Sequence, residues 1–299
     1  MIKLRTFWLL SLLLLCVSAC SPAMIGNASQ NGIRETPSVV PSSTPYPTET
    51  PLPTATFTPA PTETPTPTPT PVWVFNPPGK ADVPILLYHH VTDLSPSPLY
   101  HVNVDAFREQ MTWLRDNGYT TISISLLADA LIKGAELPPR PVVVTFDDGH
   151  LDVFENAYPI MKELGQVGTL YLVSSWTNGS QLMQVDQVKE MIASGWEIGS
   201  HSKSHVNLTL NHGSLVREVR GSKAELSEIY GVDVVSFAYP FGEQDEAARR
   251  EVVNSRYKTA VGLLNSYHQG MSNLYLLWRI EVGNRATLDE FAQLLPWKD

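Results

Sequence analysis

The sequence predicts an α/β fold in which about seven strands close into an irregular (β/α) barrel, and three observations carry that prediction. Short apolar runs alternate with longer stretches of helical periodicity from Gly79 to Asp299, the pattern that builds a parallel sheet with right-handed crossovers. The run Val142-Val143-Val144-Thr145-Phe146 is apolar without alternation, as suits a strand covered on both faces. Chemistry-bearing residues follow directly on such runs: Asp147-Asp148-Gly149 after the valine strand, and His201 to His205 after the short Trp196–Gly199 strand. Parallel α/β folds build their sites from the loops after strand C-termini.

Taken in order, Lys3 and Arg5 precede an apolar run from Phe7 to Val17, of signal-peptide length and short for a membrane span. Residues 1–20 therefore read as an export signal. Residues 21–78 hold fifteen of the chain's 24 prolines, with Thr-Pro repeats from Thr62 to Pro71; they read as a disordered, extended linker giving reach. The remaining roughly 220 residues suit one domain with a sizeable core. Three basic and three acidic residues before Gly79 cancel, so the net charge of −9 sits wholly in that domain. This disfavours nucleic acid and anionic membrane as ligands, and a neutral or cationic partner fits better.

Within the domain, strands are expected at Ile85–Tyr88, Tyr119–Ile124, Val142–Phe146, Thr169–Val173, Trp196–His201, Val234–Tyr239 and Thr259–Gly262. Helices are expected at 104–116, 126–132, 153–164, 185–194, 215–230 and 243–254, and Leu288 to Leu295 closes the chain. No strand leads into Gly-x-Gly-x-x-Gly or a Walker loop, which leaves nucleotide chemistry without support.

His201 and His205, spaced four apart, can turn their rings to one side of a helical turn, and imidazoles plus a carboxylate form a common zinc set open to water. The position that bears glutamate in zincins is here serine or lysine, so a base must come from elsewhere. Asp147 and Asp148 supply both needs: one carboxylate to ligate, its neighbour to take a proton from water.

These residues resemble the polysaccharide deacetylase family, the NodB-type domain of carbohydrate esterases. Thr145-Phe146-Asp147-Asp148-Gly149 resembles its first motif, His201-Ser202-Lys203-Ser204-His205 with Asn207-Leu208 its second, and Phe237-Ala238-Tyr239-Pro240-Phe241-Gly242 its third. Pro84-Ile85-Leu86-Leu87-Tyr88-His89-His90 resembles the opening strand of the subgroup acting on poly-N-acetylglucosamine. The resemblance runs from about Val83 to Arg285, and places the catalytic domain at 79–299. It implies Asp147 as general base, and Asp148, His201 and His205 as ligands of a divalent metal, zinc first and cobalt or nickel next. Tyr239, Pro240, Phe241 and Gly242 would line substrate and oxyanion, the latter through a backbone amide near Phe241; Trp176, Trp196, Trp278, Tyr239 and Phe241 are available to stack on sugars, core packing being the better reading for each but Phe241. Val17-Ser18-Ala19-Cys20 resembles a lipobox, with Cys20 lipidated; Cys16 would leave with the signal, so no disulfide can form in the mature chain.

Two departures stand out. The third motif's arginine, which orients the base, is here Ala238, and Arg279 is the candidate replacement, a surface salt bridge being the alternative. The terminal Leu-x-His that supplies a general acid has no counterpart; His89 is the candidate, with His90 and His268 behind it. The resulting expectation is a monomeric hydrolase, tethered outside the cytoplasmic membrane by its lipid, that removes N-acetyl groups from N-acetylglucosamine polysaccharide. O-acetyl ester cleavage and a catalytically dead glycan-binding lipoprotein are the alternatives.

Overall fold

The computed structural model describes residues 72–94, 100–283 and 287–297; the export segment with Cys20, and nearly all of the linker, lie outside them. Among the described residues no helix is long and apolar enough to cross a membrane.

Seven parallel strands close a barrel: β1 (Ile85–Tyr88), β2 (Pro141–Asp148), β3 (Thr169–Leu172), β4 (Glu197–Ser200), β5 (Ser236–Ala238), β6 (Thr259–Leu263) and β7 (Leu277–Glu281). Their order round the ring is β1-β7-β6-β5-β4-β3-β2, and pairing of β1 with β2 closes it. The expected number of strands is right, with one member exchanged. Of the expected strand Tyr119–Ile124 only Thr120–Thr121 is extended, pairing with the first residues of β2 outside the ring; the Ser123 hydroxyl caps a helix that starts at Ile124. The seventh place goes to β7, an unforeseen strand because a buried arginine, Arg279, interrupts its apolar pattern. The β6–β7 link also breaks the strand–helix alternation, running through a short strand, His268–Gly270, and a tight turn at Met271–Asn273.

Strand periodicity sorts β2 between two cores. Val142, Val144 and Phe146 join the outer core under the helices, while Val143 belongs to the inner cluster with Ile85, Tyr171, Ala238, Val261 and Leu277. At about 1.5–3 kcal/mol for each large apolar side chain fully buried, this double coverage holds the strand that carries the two aspartates. The inner core is completed by the helix Ile124–Lys133, whose buried face contributes Ile124, Leu127, Ala130 and Leu131. Gly199 of β4 is required there, since a Cβ would run into the Tyr171 ring and the Ser236 hydroxyl.

Two helices expected to be regular from Val153 and Leu215 open instead with wider π-type turns at Val153–Ala157 and Val216–Gly221. Such turns re-aim side chains and gather at functional sites. The second directs fully buried Glu218 toward the loop after β4. Structure also begins inside the stretch read as linker, because Val74–Asn76 pairs with Ala135–Leu137.

Candidate active site

A cavity of about 330 Å³ opens where the barrel strands end, and Asp147, Asp148, His201, His205, Arg279, His89, Tyr239, Phe241 and Gly242 all line it. The two aspartates share one strand end and face different surroundings. Asp147, on the inward parity of β2, is buried, and its two oxygens take hydrogen bonds from Arg279 Nη1 at 2.6 Å and Nη2 at 2.8 Å. Arg279 is itself 1% exposed, spans from β7 beneath the cavity, and also reaches the Gly262 carbonyl and the Thr145 hydroxyl. The surface-salt-bridge alternative is thus excluded. Burial would raise the Asp147 carboxyl, but the Arg279 guanidinium and His201 outweigh it and hold it below the usual carboxylate range.

Asp148 turns away through a left-handed backbone, φ 74°. Its Oδ1 faces His205 Nε2 at 3.4 Å and His201 Nε2 at 3.8 Å. His201 Nδ1 lies 2.8 Å from the Ala238 carbonyl; a carbonyl only accepts, so Nδ1 carries the hydrogen and Nε2 presents a lone pair to the carboxylates. The expected helical turn between the histidines is absent. Residues 201–205 form a loop, and left-handed Ser202 (φ 66°) and His205 (φ 54°) bring the rings together. Buried Glu218 pins this loop by accepting from the Ser204 amide at 2.8 Å and hydroxyl at 2.9 Å, and Glu225 pairs with Lys203. Non-glycine residues held at positive φ cost on the order of 1 kcal/mol or more and persist where surroundings over-determine them.

Asp148, His201 and His205 each offer a ligand atom, all within 4.8 Å of one another. The set fits a small divalent cation: two imidazoles and one carboxylate, with the Asp148 Oδ1 buried and lacking a hydrogen-bond partner. Burial, and then His201, lower the His205 imidazole, which keeps it neutral as a ligand must be. His150 and His201 more than offset burial at Asp148 and hold its carboxyl well below the ordinary range.

His89 lines the cavity at the end of β1, its ring 5.0 Å from that of Tyr100. Burial lowers its imidazole to about 4, against the pull of Asp147 and Asp148, so in the free protein it is neutral at pH 7. His90 also lines the cavity and bonds Asp152 at 2.6 Å, whereas His268 is outside it, exposed against Asp82. Phe241, at φ 62° and 60% exposed, edges the His205 ring at 4.6 Å, with Trp176 stacked on the same ring at 5.4 Å. Tyr239 and Trp196 follow the core-packing reading. Tyr239 is buried with its hydroxyl on the Tyr275 carbonyl, and Trp196 is core, stacked on Phe146. Trp278 is half-buried and does not line the cavity. Of the amides at 240–242, proline has no N–H and that of Gly242 goes to the Tyr239 carbonyl, leaving Phe241 N–H for an oxyanion. Sequence reasoning passed over His150 and Asp152, although His150 directly follows Asp147-Asp148-Gly149.

A closed parallel barrel with an arginine-paired aspartate beside a His₂Asp cluster suits a hydrolase, and comparison with known proteins says of which class. The family model described as Polysaccharide deacetylase matches residues 134–260. The Bacillus subtilis protein YxkH, named as a polysaccharide deacetylase, is 27% identical over 203 residues, 68% of this chain and 72% of its own length. A poly-β-1,6-N-acetyl-D-glucosamine N-deacetylase of Escherichia coli K12 is 27% identical over 251 residues, 69% of this chain but 37% of that protein. The solved deacetylase PplD of Streptococcus pyogenes, in complex with acetate, superposes with a TM-score of 0.66 at 25% identity, covering 76% of this chain and 100% of the other. The chain carries a polysaccharide deacetylase domain, matched over residues 134–260, and is an enzyme of that kind.

Proposed function

We propose that this enzyme removes N-acetyl groups from a polysaccharide containing N-acetylglucosamine, using a divalent cation, zinc by preference, held by Asp148, His201 and His205. The observation that carries the reading is the split between the aspartates: Asp147 paired in both oxygens by Arg279, Asp148 turned toward two histidines. The named substrate of the Escherichia coli relative supports the choice of glycan, as does the domain's net negative charge, which suits a product that becomes cationic.

A divalent cation in that ligand set supplies Lewis acidity, acidifying water and polarising an acyl oxygen. Asp147 is ionised, fixed in orientation by Arg279, and takes the proton from the attacking water. The Phe241 amide meets the charge that develops on the acetyl oxygen. His89, neutral beforehand, takes over the water proton that Asp147 has accepted and delivers it to the departing amine, which returns Asp147 to its ionised form. Phe241, with Trp176 behind His205, offers an apolar face for a sugar ring.

On this reading the domain works outside the cytoplasmic membrane as a monomer, tethered through lipidated Cys20 and the proline-rich linker. The support is the sequence resemblance around Cys20, and Cys20→Ala should release the protein from the membrane fraction. The deciding assay is acetate release from N-acetylglucosamine oligomers with and without chelator. Chelator-sensitive release from the β-1,6-linked oligomer is the expected result; release only from acetylated xylan would transfer the enzyme to ester chemistry.

A further inference from the structure

We propose that His150 is a positioning residue of the cation site, holding Asp148 so that a single oxygen is presented to the metal. This deepens the reading above and rests on it. The carboxylate of Asp148 has two sides. Oδ1 faces His205 and His201. Oδ2 faces away from them, 3.4 Å from His150 Nε2. An N–H at that position tightens onto Oδ2, removes it from competition as a second ligand atom and fixes the carboxylate plane. Ligands of this kind are normally oriented by such outer partners.

The placement of His150 is itself built. Its ring stacks on His90 with centroids 3.6 Å apart and planes 23° from parallel. His90 is fixed by Asp152, which accepts at Oδ2 from His90 Nδ1 at 2.6 Å and at Oδ1 from the Val91 amide at 3.0 Å. On the other side the backbone of His150 bridges to Leu182, and the next amide, Leu151, donates to Gln181 at 3.0 Å. Asp152, His90 and His150 thus form a buttress from β1 and the first turn after β2 to the outer edge of Asp148. The buttress has a mechanical purpose. Asp148 ends β2 at φ 74° and is followed by Gly149 at φ 85°, a left-handed turn that leaves the orientation of the carboxylate to the groups against its two oxygens. His150 stays outside the ligand cluster formed by Asp148, His201 and His205, so it acts on the metal through Asp148.

The test is zinc affinity of the full-length apoprotein, by competition with a chromophoric chelator, with cobalt(II) absorption as a spectroscopic check. His150→Phe keeps a ring for His90 and loses the donor; it should weaken zinc by roughly 10- to 100-fold and alter the cobalt spectrum. Turnover at saturating metal should nearly recover. His150→Gln, whose amide can still donate to Oδ2, should restore most of the affinity. Wild-type zinc affinity in His150→Phe overturns the inference, and so does a metal-saturated kcat that stays depressed with affinity unchanged, which would make His150 a catalytic acid. If His150→Phe does not fold, His150→Ala carries the same titration with the same expected loss. His205→Ala separates the two layers of the argument. Zinc binding unchanged in His205→Ala would remove the metal reading beneath the inference, whereas loss there beside wild-type affinity in His150→Phe removes the inference alone.

Discussion

Asp147 and Asp148 are adjacent, chemically identical, and occupy opposite surroundings. One ends the inward parity of β2 and is clamped dry by a guanidinium. The other leaves the strand through a left-handed turn and meets imidazoles on both of its edges. Environment, more than residue type, assigns roles to paired carboxylates, and here the peptide between them converts one strand end into two sites. The Asp147 side is a charge pair buried within the fold. The Asp148 side is assembled from loops at positive φ, anchored by buried Glu218 and by the His90–Asp152 pair.

The largest effect should come from the Asp147 side. Asp147→Asn should lower turnover by roughly 10⁴-fold, at the upper end for general-base loss, with the fold intact by circular dichroism; activity within tenfold of wild type would end its assignment as base.

Arg279→Met should come next, with turnover down by about 10²- to 10³-fold and stability reduced by about 3–5 kcal/mol, the range for breaking a buried pair by removing one partner. Its pH signature is specific. In the wild type the Asp147 carboxyl lies below its unfolded value, so the pair's stabilisation is complete above roughly pH 4 and is lost as the pH falls through the lower folded value. Without Arg279, burial dominates, and the acid limb of kcat/KM should move to higher pH. An unmoved limb would mean that Arg279 does not govern Asp147.

His89→Ala, at the end of the strand that pairs with the one carrying the aspartates, should reduce acetamide hydrolysis by about 10²-fold while sparing an activated ester, whose leaving group needs no proton. With its imidazole lowered to about 4, His89 should not impose a fall in kcat/KM between pH 5 and 8. A decline centred near pH 6.5 that disappears in His89→Ala would show that it starts protonated.

The smallest effect belongs to Phe241, exposed and left-handed. Phe241→Gly should relieve strain and leave the melting temperature equal or a few degrees higher, while KM for the glycan rises several-fold. A lower melting temperature with unchanged KM would make Phe241 a structural residue.

Much of this was legible in the sequence because it rests on local pattern. The unbroken apolar run before Asp147, the helix at 104–116 and the four-residue spacing of His201 and His205 each read directly. What escaped depends on pairing between distant segments. β7 was hidden because Arg279 interrupts its apolar run, although that same arginine was singled out as a partner for Asp147; only ring closure puts it two strands away, through β1. The loop that joins the histidines was misread as a helical turn, since a period of four is common to both and positive φ at Ser202 and His205 has no glycine to announce it. His150 escaped because stacking on His90 depends on the closed barrel.

The contrast between the aspartates is tested most directly by zinc titration of two full-length variants side by side. Asp147→Asn should bind close to one zinc with near wild-type affinity, and Asp148→Asn should lose at least tenfold. Equal affinity in both variants, or a loss confined to Asp147→Asn, would contradict the account.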